Sequence, residues 1–157
     1  MGYLTQQVCL NGHQTCSGLE GFEEFMEKFC SQCGAATVTA CGACKTGIRG
    51  YYMGSMSIQP IAVPSFCHEC GQPYPWTAAR AKAATELADE LDDLSDDERA
   101  KLKDSLIDIM KDGPQTSVAV TRLKKFMRKV GKEGGSALYK IAMEVATEGA
   151  KKMILGT

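Results

Sequence analysis

Residues 30–44 read CSQCGAATVTACGAC, two C-x-x-C pairs, Cys30/Cys33 and Cys41/Cys44, held seven residues apart. The pattern extends in both directions. Downstream, Cys67 and Cys70 make a third pair, and upstream Cys9 with His13 (CLNGH) makes a fourth half-site. A tetrahedral zinc ion takes four soft ligands, which zinc ribbons deliver as two short half-sites from separate parts of the chain. Four half-sites therefore imply two zinc ions as cofactor. The candidate metal ligands are Cys9, His13, Cys30, Cys33, Cys41, Cys44, Cys67 and Cys70.

Cys33 and Cys70 are each followed by glycine, which lets the backbone turn tightly and aim N–H groups at the sulfurs. Taking each C-x-x-C-G as the closing half of a unit gives two consecutive ribbons. The first is Cys9/His13 with Cys30/Cys33, and the second is Cys41/Cys44 with Cys67/Cys70. A cross-braced order, first half-site with third and second with fourth, is the alternative. In the first unit Cys9, His13 and Cys16 compete for two places. His13 stands four positions after Cys9, a half-site spacing, whereas Cys16 would need a longer loop. His13 is favoured, leaving Cys16 as a free thiol. His68, inside a knuckle, is expected to point away from the metal.

Eight cysteines could also make four disulfides. The adjacent pairs argue for metal instead, as does the start of the chain, MGYLTQQVCLNG, which lacks a basic stretch followed by an apolar one. A cytoplasmic location is the matching expectation. No apolar run approaches the ~18 residues that would span a bilayer, so no membrane partner is expected. Net charge is −1 over 157 residues, which gives no global attraction for nucleic acid.

The chain changes character near Trp76. All cysteines and both histidines precede it, while Ala, Leu, Lys and Asp at helical spacing follow. The expected fold is a small zinc-stapled α+β head over 1–76, two consecutive zinc ribbons, followed by an all-α helical bundle of four helices over 77–157. In the head, 36–39 and 50–53 alternate as strands, and Phe22, Phe25, Met26 and Phe29 suggest a short helix over 19–29. So small a head buries too little apolar surface to fold without its ions. In the bundle, Thr77 is expected to cap a helix from Ala78 to about Asp93. Ser95 and Glu98 form a capping box ahead of a second helix, which Gly113-Pro114 ends. A third helix starts at Thr116 or Ser117. Gly131 to Gly135 reads as a break, and a fourth helix runs from about Ser136 to Ile154.

Charge is uneven along these helices. Segment 86–112 is strongly acidic, whereas 115–133 carries Arg122, Lys124, Lys125, Arg128, Lys129 and Lys132 against one acid. Complementary faces of neighbouring helices are the simpler reading; a phosphate-facing stripe is the alternative.

Four protein ligands around each ion leave no position for water, so no Lewis-acid chemistry follows and no enzyme is expected. Glu69 beside Cys70 does not match a deaminase signature, because His68-Glu69 lies within the C-x-x-C. Arg49, Tyr51, Tyr52, Tyr74 and Trp76 are the candidate partner-binding residues, since arginine and aromatics dominate binding hot spots. Trp76, at the boundary, is weighed more heavily as packing.

The order CLNGH…FCSQCG…CGAC…IRGYY…PSFCHECGQPYPWT, followed by LSDDERAKLKDSL and a T-x-x-x-x-T-R-L-K-K segment, resembles a family of uncharacterised bacterial proteins classed as a domain of unknown function. The resemblance implies an N-terminal double zinc ribbon with a C-terminal helical part, and zinc on the eight ligands named above. Cys16 lies outside the family pattern. The resemblance brings no activity with it. The leading expectation is a non-enzymatic zinc protein whose ribbons present a surface to a protein partner. The rival is a nucleic-acid-binding accessory protein using Arg49, the ribbon aromatics and the basic third helix.

Overall fold

The computed structural model describes residues 2–56 and 61–157, which divide into two compact units, one ending at Ala79 and the other Arg80–Thr157. Among the described residues the first unit holds five short strands: β1 (Tyr3–Thr5), β2 (Gln7–Cys9), β3 (Gln14–Cys16), β4 (Thr37–Val38) and β5 (Arg49–Tyr52). β1 and β5 pair antiparallel, with Tyr3 opposite Tyr52 and Thr5 opposite Arg49. β2 is the centre of an antiparallel three-stranded sheet, β3 on one side and β4 on the other. Such short strands cannot stand alone in water, so something else must hold them together.

One polar residue links the two sheets. Gln6 is fully buried; its N–H donates to the Ile48 carbonyl at 2.9 Å, its side-chain amide to the Arg49 carbonyl at 2.5 Å, and its Oε1 accepts from Gln14 at 2.6 Å. Beside it, Tyr51 N–H reaches the Ser17 carbonyl at 2.8 Å. Gly50 permits that approach: a Cβ there would stand 2.1 Å from the Ser17 oxygen and 2.9 Å from Gln6 Cβ.

The expected helix over 19–29 does not form. A single 3-10 turn spans Glu23–Phe25, and the chain leaves it extended at Met26, with ψ 130. Phe29 is then drawn into a bridge with Ala36, because the following Cys30 must enter a tight turn. The periodic apolar residues consequently bury nothing: Phe22, Phe25, Met26 and Phe29 are 50–63% exposed.

The helices are α1 (Pro75–Asp89), α2 (Asp96–Asp108), α3 (Thr116–Lys129), α4 (Gly131–Val145) and α5 (Glu148–Leu155). α1 opens earlier than expected, with proline at its first position, where no N–H is needed. Thr77 is not its cap; the hydroxyl donates to the Ser65 carbonyl at 2.7 Å. α1 also stops short of Asp93, and Arg99 donates to the Ala88 carbonyl in its last turn at 3.2 Å and to the Leu91 carbonyl just beyond it at 3.0 Å. The Ser95–Glu98 capping box opens α2 as expected.

Among the described residues five helices stand where four were expected. The break foreseen at 131–135 shrinks to the turn at Gly131, and the last segment divides at Ala146-Thr147 instead. Tertiary bonds hold that division. Thr147 N–H donates to the Ile109 carbonyl at 2.9 Å and its hydroxyl to Asp112 at 2.6 Å, while Oγ1 caps α5 by accepting from Ala150 N–H. Leu102, Leu106, Ile109, Leu123, Leu138 and Ala142 lie at the centre of this unit's core, each fully buried or nearly so.

The simpler reading of the charges accounts for part of them. Lys129 pairs with Glu98 at 2.5 Å, and Lys124 donates to the Met153 carbonyl at 2.7 Å. Arg122, Lys125, Arg128 and Lys132 have no carboxylate partner among the described residues.

Gly50→Ala should destabilise the first unit by about 1–3 kcal/mol or more, since neither the Ser17 carbonyl nor Gln6 can retreat without breaking the sheet linkage. The chain's one tryptophan, Trp76, is buried in this unit, so its fluorescence during denaturant unfolding measures the loss directly. An unchanged midpoint would refute the steric argument.

Candidate metal centres

Each C-x-x-C folds into the same miniature hairpin. The N–H of the residue after the second cysteine donates back to the carbonyl of the first: Gly34 to Cys30 at 2.8 Å, Lys45 to Cys41 at 3.0 Å and Gly71 to Cys67 at 2.9 Å. The first cysteine's N–H is in turn satisfied by the carbonyl five positions on, in Ala35, Thr46 and Gln72. Isolated bridges Phe29–Ala36, Ala40–Gly47 and Phe66–Pro73 close each loop. The turn residue needs positive φ: Gly34 has 71°, Gly71 72° and Lys45 63°. Lysine takes up this conformation without glycine's freedom, which is why the middle knuckle lacks the C-x-x-C-G signature yet has its shape. Cys9 and His13 lie at the two ends of the β2–β3 turn, where Cys9 N–H donates to the His13 carbonyl at 2.9 Å.

These turns assemble two clusters in consecutive order: Cys9, His13, Cys30 and Cys33 in one, and Cys41, Cys44, Cys67 and Cys70 in the other. Within each, one ligand atom from every residue lies within 4.8 Å of the other three. Cys9 Sγ is 3.7 Å from Cys33 Sγ and 3.5 Å from His13 Nδ1; Cys41–Cys70 and Cys44–Cys67 sulfurs are 3.7 and 3.6 Å apart. A tetrahedron with metal–sulfur bonds of about 2.3 Å has edges of about 3.8 Å, so the spacing suits a metal ion. The donor set, thiolates with one imidazole, suits a soft or borderline cation. The cross-braced order is excluded by the same positions.

Cys16 joins neither cluster. It ends β3 opposite Gln7, and its thiol donates to the Gly18 carbonyl at 3.4 Å. His68 also stays outside, beside a polar hollow that includes Thr46 and Arg49.

The backbone prepares several sulfurs to be thiolates. The Ala35 amide, then the Asn11 side chain, hold Cys33 down at about 6. The amides of Cys70 and Glu69 hold Cys67 at about 6 as well. At Cys70 the Gln72 amide lowers the value, but desolvation and the sulfurs of Cys44, Cys41 and Cys67 outweigh it and push the thiol up to about 12. Four sulfurs so close cannot all shed their protons unless a cation compensates the charge. Asn11, which donates to Cys33 Sγ at 3.4 Å, was not singled out from sequence; its place inside CLNGH was the available signal.

The second cluster backs onto the unit's apolar core. Val8, Cys41, Ile48, Cys67, Tyr74 and Trp76 form one buried group. Tyr74 and Trp76 stack at 4.7 Å and 18°, each 1% exposed, and the indole N–H donates to the Pro64 carbonyl at 2.8 Å. Both candidate partner-binding residues are therefore interior packing: for Trp76 this is the reading weighed more heavily from sequence, and for Tyr74 it corrects the expected surface role. Their apolar area is worth more beneath a cluster than in water. Burial, followed by the Cys67 sulfur, pushes the Tyr74 phenol above its ordinary value. Of the remaining candidates, Arg49 and Tyr52 are exposed and Tyr51 is partly so. Tyr3, which sequence did not suggest, completes that surface. Its ring lies 5.0 Å from Tyr52, and the Arg49 guanidinium stands 4.8 Å from its centre.

Residues 2–154 match the family described as an uncharacterized protein conserved in bacteria, DUF2321. The chain belongs to that family. A search of curated proteins and a search of solved structures each found no match. Among the described residues no helix is long and apolar enough to cross a membrane.

His13→Ala should weaken metal binding at the first centre, while Cys16→Ser should leave the metal content of the purified protein unchanged. Elemental analysis of both variants reads this directly, and the reverse pattern would exchange the two residues' roles.

Proposed function

We propose that this chain is a non-enzymatic cytoplasmic protein in which two structural zinc ions staple the first unit into a docking surface for a protein partner. The cluster chemistry supports zinc: four thiolates, or three and an imidazole, at tetrahedral spacing. Each ion would have its coordination filled by protein, which leaves no site for a bound water and argues against hydrolytic chemistry. Cys9, His13, Cys30 and Cys33 would hold one ion, and Cys41, Cys44, Cys67 and Cys70 the other.

The observation that carries the docking role is the exposure of Phe22, Phe25, Met26 and Phe29 at 50–63% within one short segment. Phe22 and Phe25 lie 6.1 Å apart, so two of the four form a contiguous apolar surface. Patches of this kind on a water-facing surface mark interaction sites. The segment directly precedes Cys30 and Cys33, so the first ion would fix the shape of one end of the patch.

A second reading, nucleic-acid binding, has its own support. Arg49 lies over Tyr3 and has no carboxylate partner among the described residues, and four cations of the α3 region are likewise unpaired. Phosphate contacts release counterions, so this binding would weaken steeply with salt and would be reduced by Arg49→Ala.

Elemental analysis should find two zinc ions per chain, and chelation should unfold the first unit while leaving most of the helix signal. A first unit that keeps its Trp76 fluorescence without metal would refute the structural role. The partner test is affinity capture from a bacterial host with nuclease-treated and untreated arms, followed by reconstitution with each purified candidate. Replacing Phe22, Phe25 and Phe29 with serine should abolish the reconstituted complex and leave the zinc content intact. A complex that survives those replacements overturns the patch, and one lost to nuclease moves the function to Arg49.

A further inference from the structure

We propose that the partner of the apolar patch is a basic protein segment. One of its lysine or arginine side chains enters a hollow beside Glu27, while its apolar neighbours cover Phe22, Phe25 and Met26. The proposal rests on the docking role above and names the chemistry of what docks.

The hollow adjoins the patch. It has a volume of about 480 Å³ and is open to water, with Met26 and Val38 as apolar wall and Glu27, Thr37 and Thr39 as polar wall. Met26 belongs to the exposed apolar run as well, so the two features share an edge. Such a lining suits a long cationic side chain, whose methylene stem packs on apolar surface while its charged head finds a carboxylate.

Glu27 is held in place by its main chain. Its N–H donates to Gln7 Oε1 at 2.9 Å, and its carbonyl accepts from the Thr37 hydroxyl. Gln7 is itself 3% exposed and takes a second bond from the Thr15 hydroxyl at 2.8 Å. The next residue is fastened too, the Lys28 carbonyl accepting from Thr37 N–H at 3.2 Å. β2 and β4 thus fix the backbone here, while Oε2 of the Glu27 carboxylate is shielded from water and has no hydrogen-bond partner among the described residues. A carboxylate oxygen left in that state costs free energy, which a cation beside the group would offset.

The charges of the first unit point the same way. Its carboxylates are Glu20, Glu23, Glu24, Glu27 and Glu69, and its cations are Lys28, Lys45 and Arg49. All but Glu69 fall within residues 20–27, the stretch that holds most of the patch. Among the described residues none of these carboxylates forms an ion pair; every pair lies in the helical unit. Glu20 is bonded to Thr5 and Glu23 to the Gly21 N–H, neither of which carries charge. Lys28 also lines the hollow and is the single cation of this stretch. Exposed apolar side chains interspersed with unpaired acids complement a basic, partly apolar segment and repel the phosphates of a nucleic acid.

The test selects peptides from a displayed random library on the full chain supplied with zinc. Enriched sequences should carry lysine or arginine beside apolar residues. The tightest of them, synthesised, should bind Glu27→Gln about 10-fold or more weakly than wild type. Replacing its basic residue with norleucine should cost as much on wild type and nothing further on Glu27→Gln, the mark of a direct pair. Peptides that need Phe22 and Phe25 but no basic residue, or that bind Glu27→Gln as tightly, overturn the proposal while leaving the docking role intact. A library that yields no binder overturns both. Sedimentation of the chain alone should show no self-association that Glu27→Gln removes. If it does, the occupant is a second copy, whose α3 carries unpaired cations, and the separate partner is overturned.

Should Glu27→Gln fail to fold, which Trp76 fluorescence reads, wild type decides the matter. A carbodiimide that joins carboxylates to amines should couple the lysine form of the selected peptide to Glu27, located by mass spectrometry. Coupling confined to other carboxylates overturns the proposal.

Discussion

Everything in the first unit depends on one backbone bond, the N–H that closes each cysteine knuckle. It bends the chain so that two sulfurs three residues apart face the same point, and it frees neighbouring amides to polarise those sulfurs. Three repetitions of that bond, together with the β2–β3 turn, bring eight donor groups into two clusters. The strands do not supply this order. The longest, β5, has four residues, and the sheets they form have two and three strands. A cation that binds only the assembled cluster would contribute its binding free energy to folding, and so small a unit would gain stability in that way.

The two units solve the problem of stability by opposite means. The helical unit follows ordinary rules: a capping box, a threonine cap and a continuous core from Ala84 to Ile154. The first unit buries a glutamine at its centre and leaves Phe22, Phe25, Met26 and Phe29 among its exposed large apolar residues. A fold that relied on hydrophobic burial would have arranged these the other way round. Cross-linking by a metal would relieve these apolar residues of a structural role and leave them free to form a surface.

The arrangement also sets where the remaining candidate residues lie. Cys16 is held on β3 with its thiol bonded to a carbonyl, and Tyr74 and Trp76 are buried with Cys41 and Cys67 of the second cluster. Arg49, Tyr3 and Tyr52 stay at the surface because strand pairing places Tyr3 opposite Tyr52 and Thr5 opposite Arg49. Two strands separated by over forty residues of sequence thereby create one aromatic and cationic surface.

The sequence by itself determined the half-sites from which the two candidate metal clusters are built, the separation into a cysteine-rich part and a helical part, and the start of α2. Each of these is local. A C-x-x-C turn, a capping box or an amphipathic stripe is written within a few residues and is formed by bonds among them. Tertiary structure alone decided which half-sites meet, that the aromatic run before Cys30 makes a single turn instead of a helix, and that the last helical segment divides at Thr147. It also decided that Tyr74 and Trp76 face inward while Tyr3 joins Arg49. For Thr147 and Tyr3 the deciding partners are distant in sequence, Ile109 and Asp112 for the one and Tyr52 for the other, while Phe29 is claimed by Ala36 across the turn of Cys30 and Cys33. A periodicity reports only that one face is apolar, and what covers that face, or leaves it bare, is settled by contacts that no short window contains.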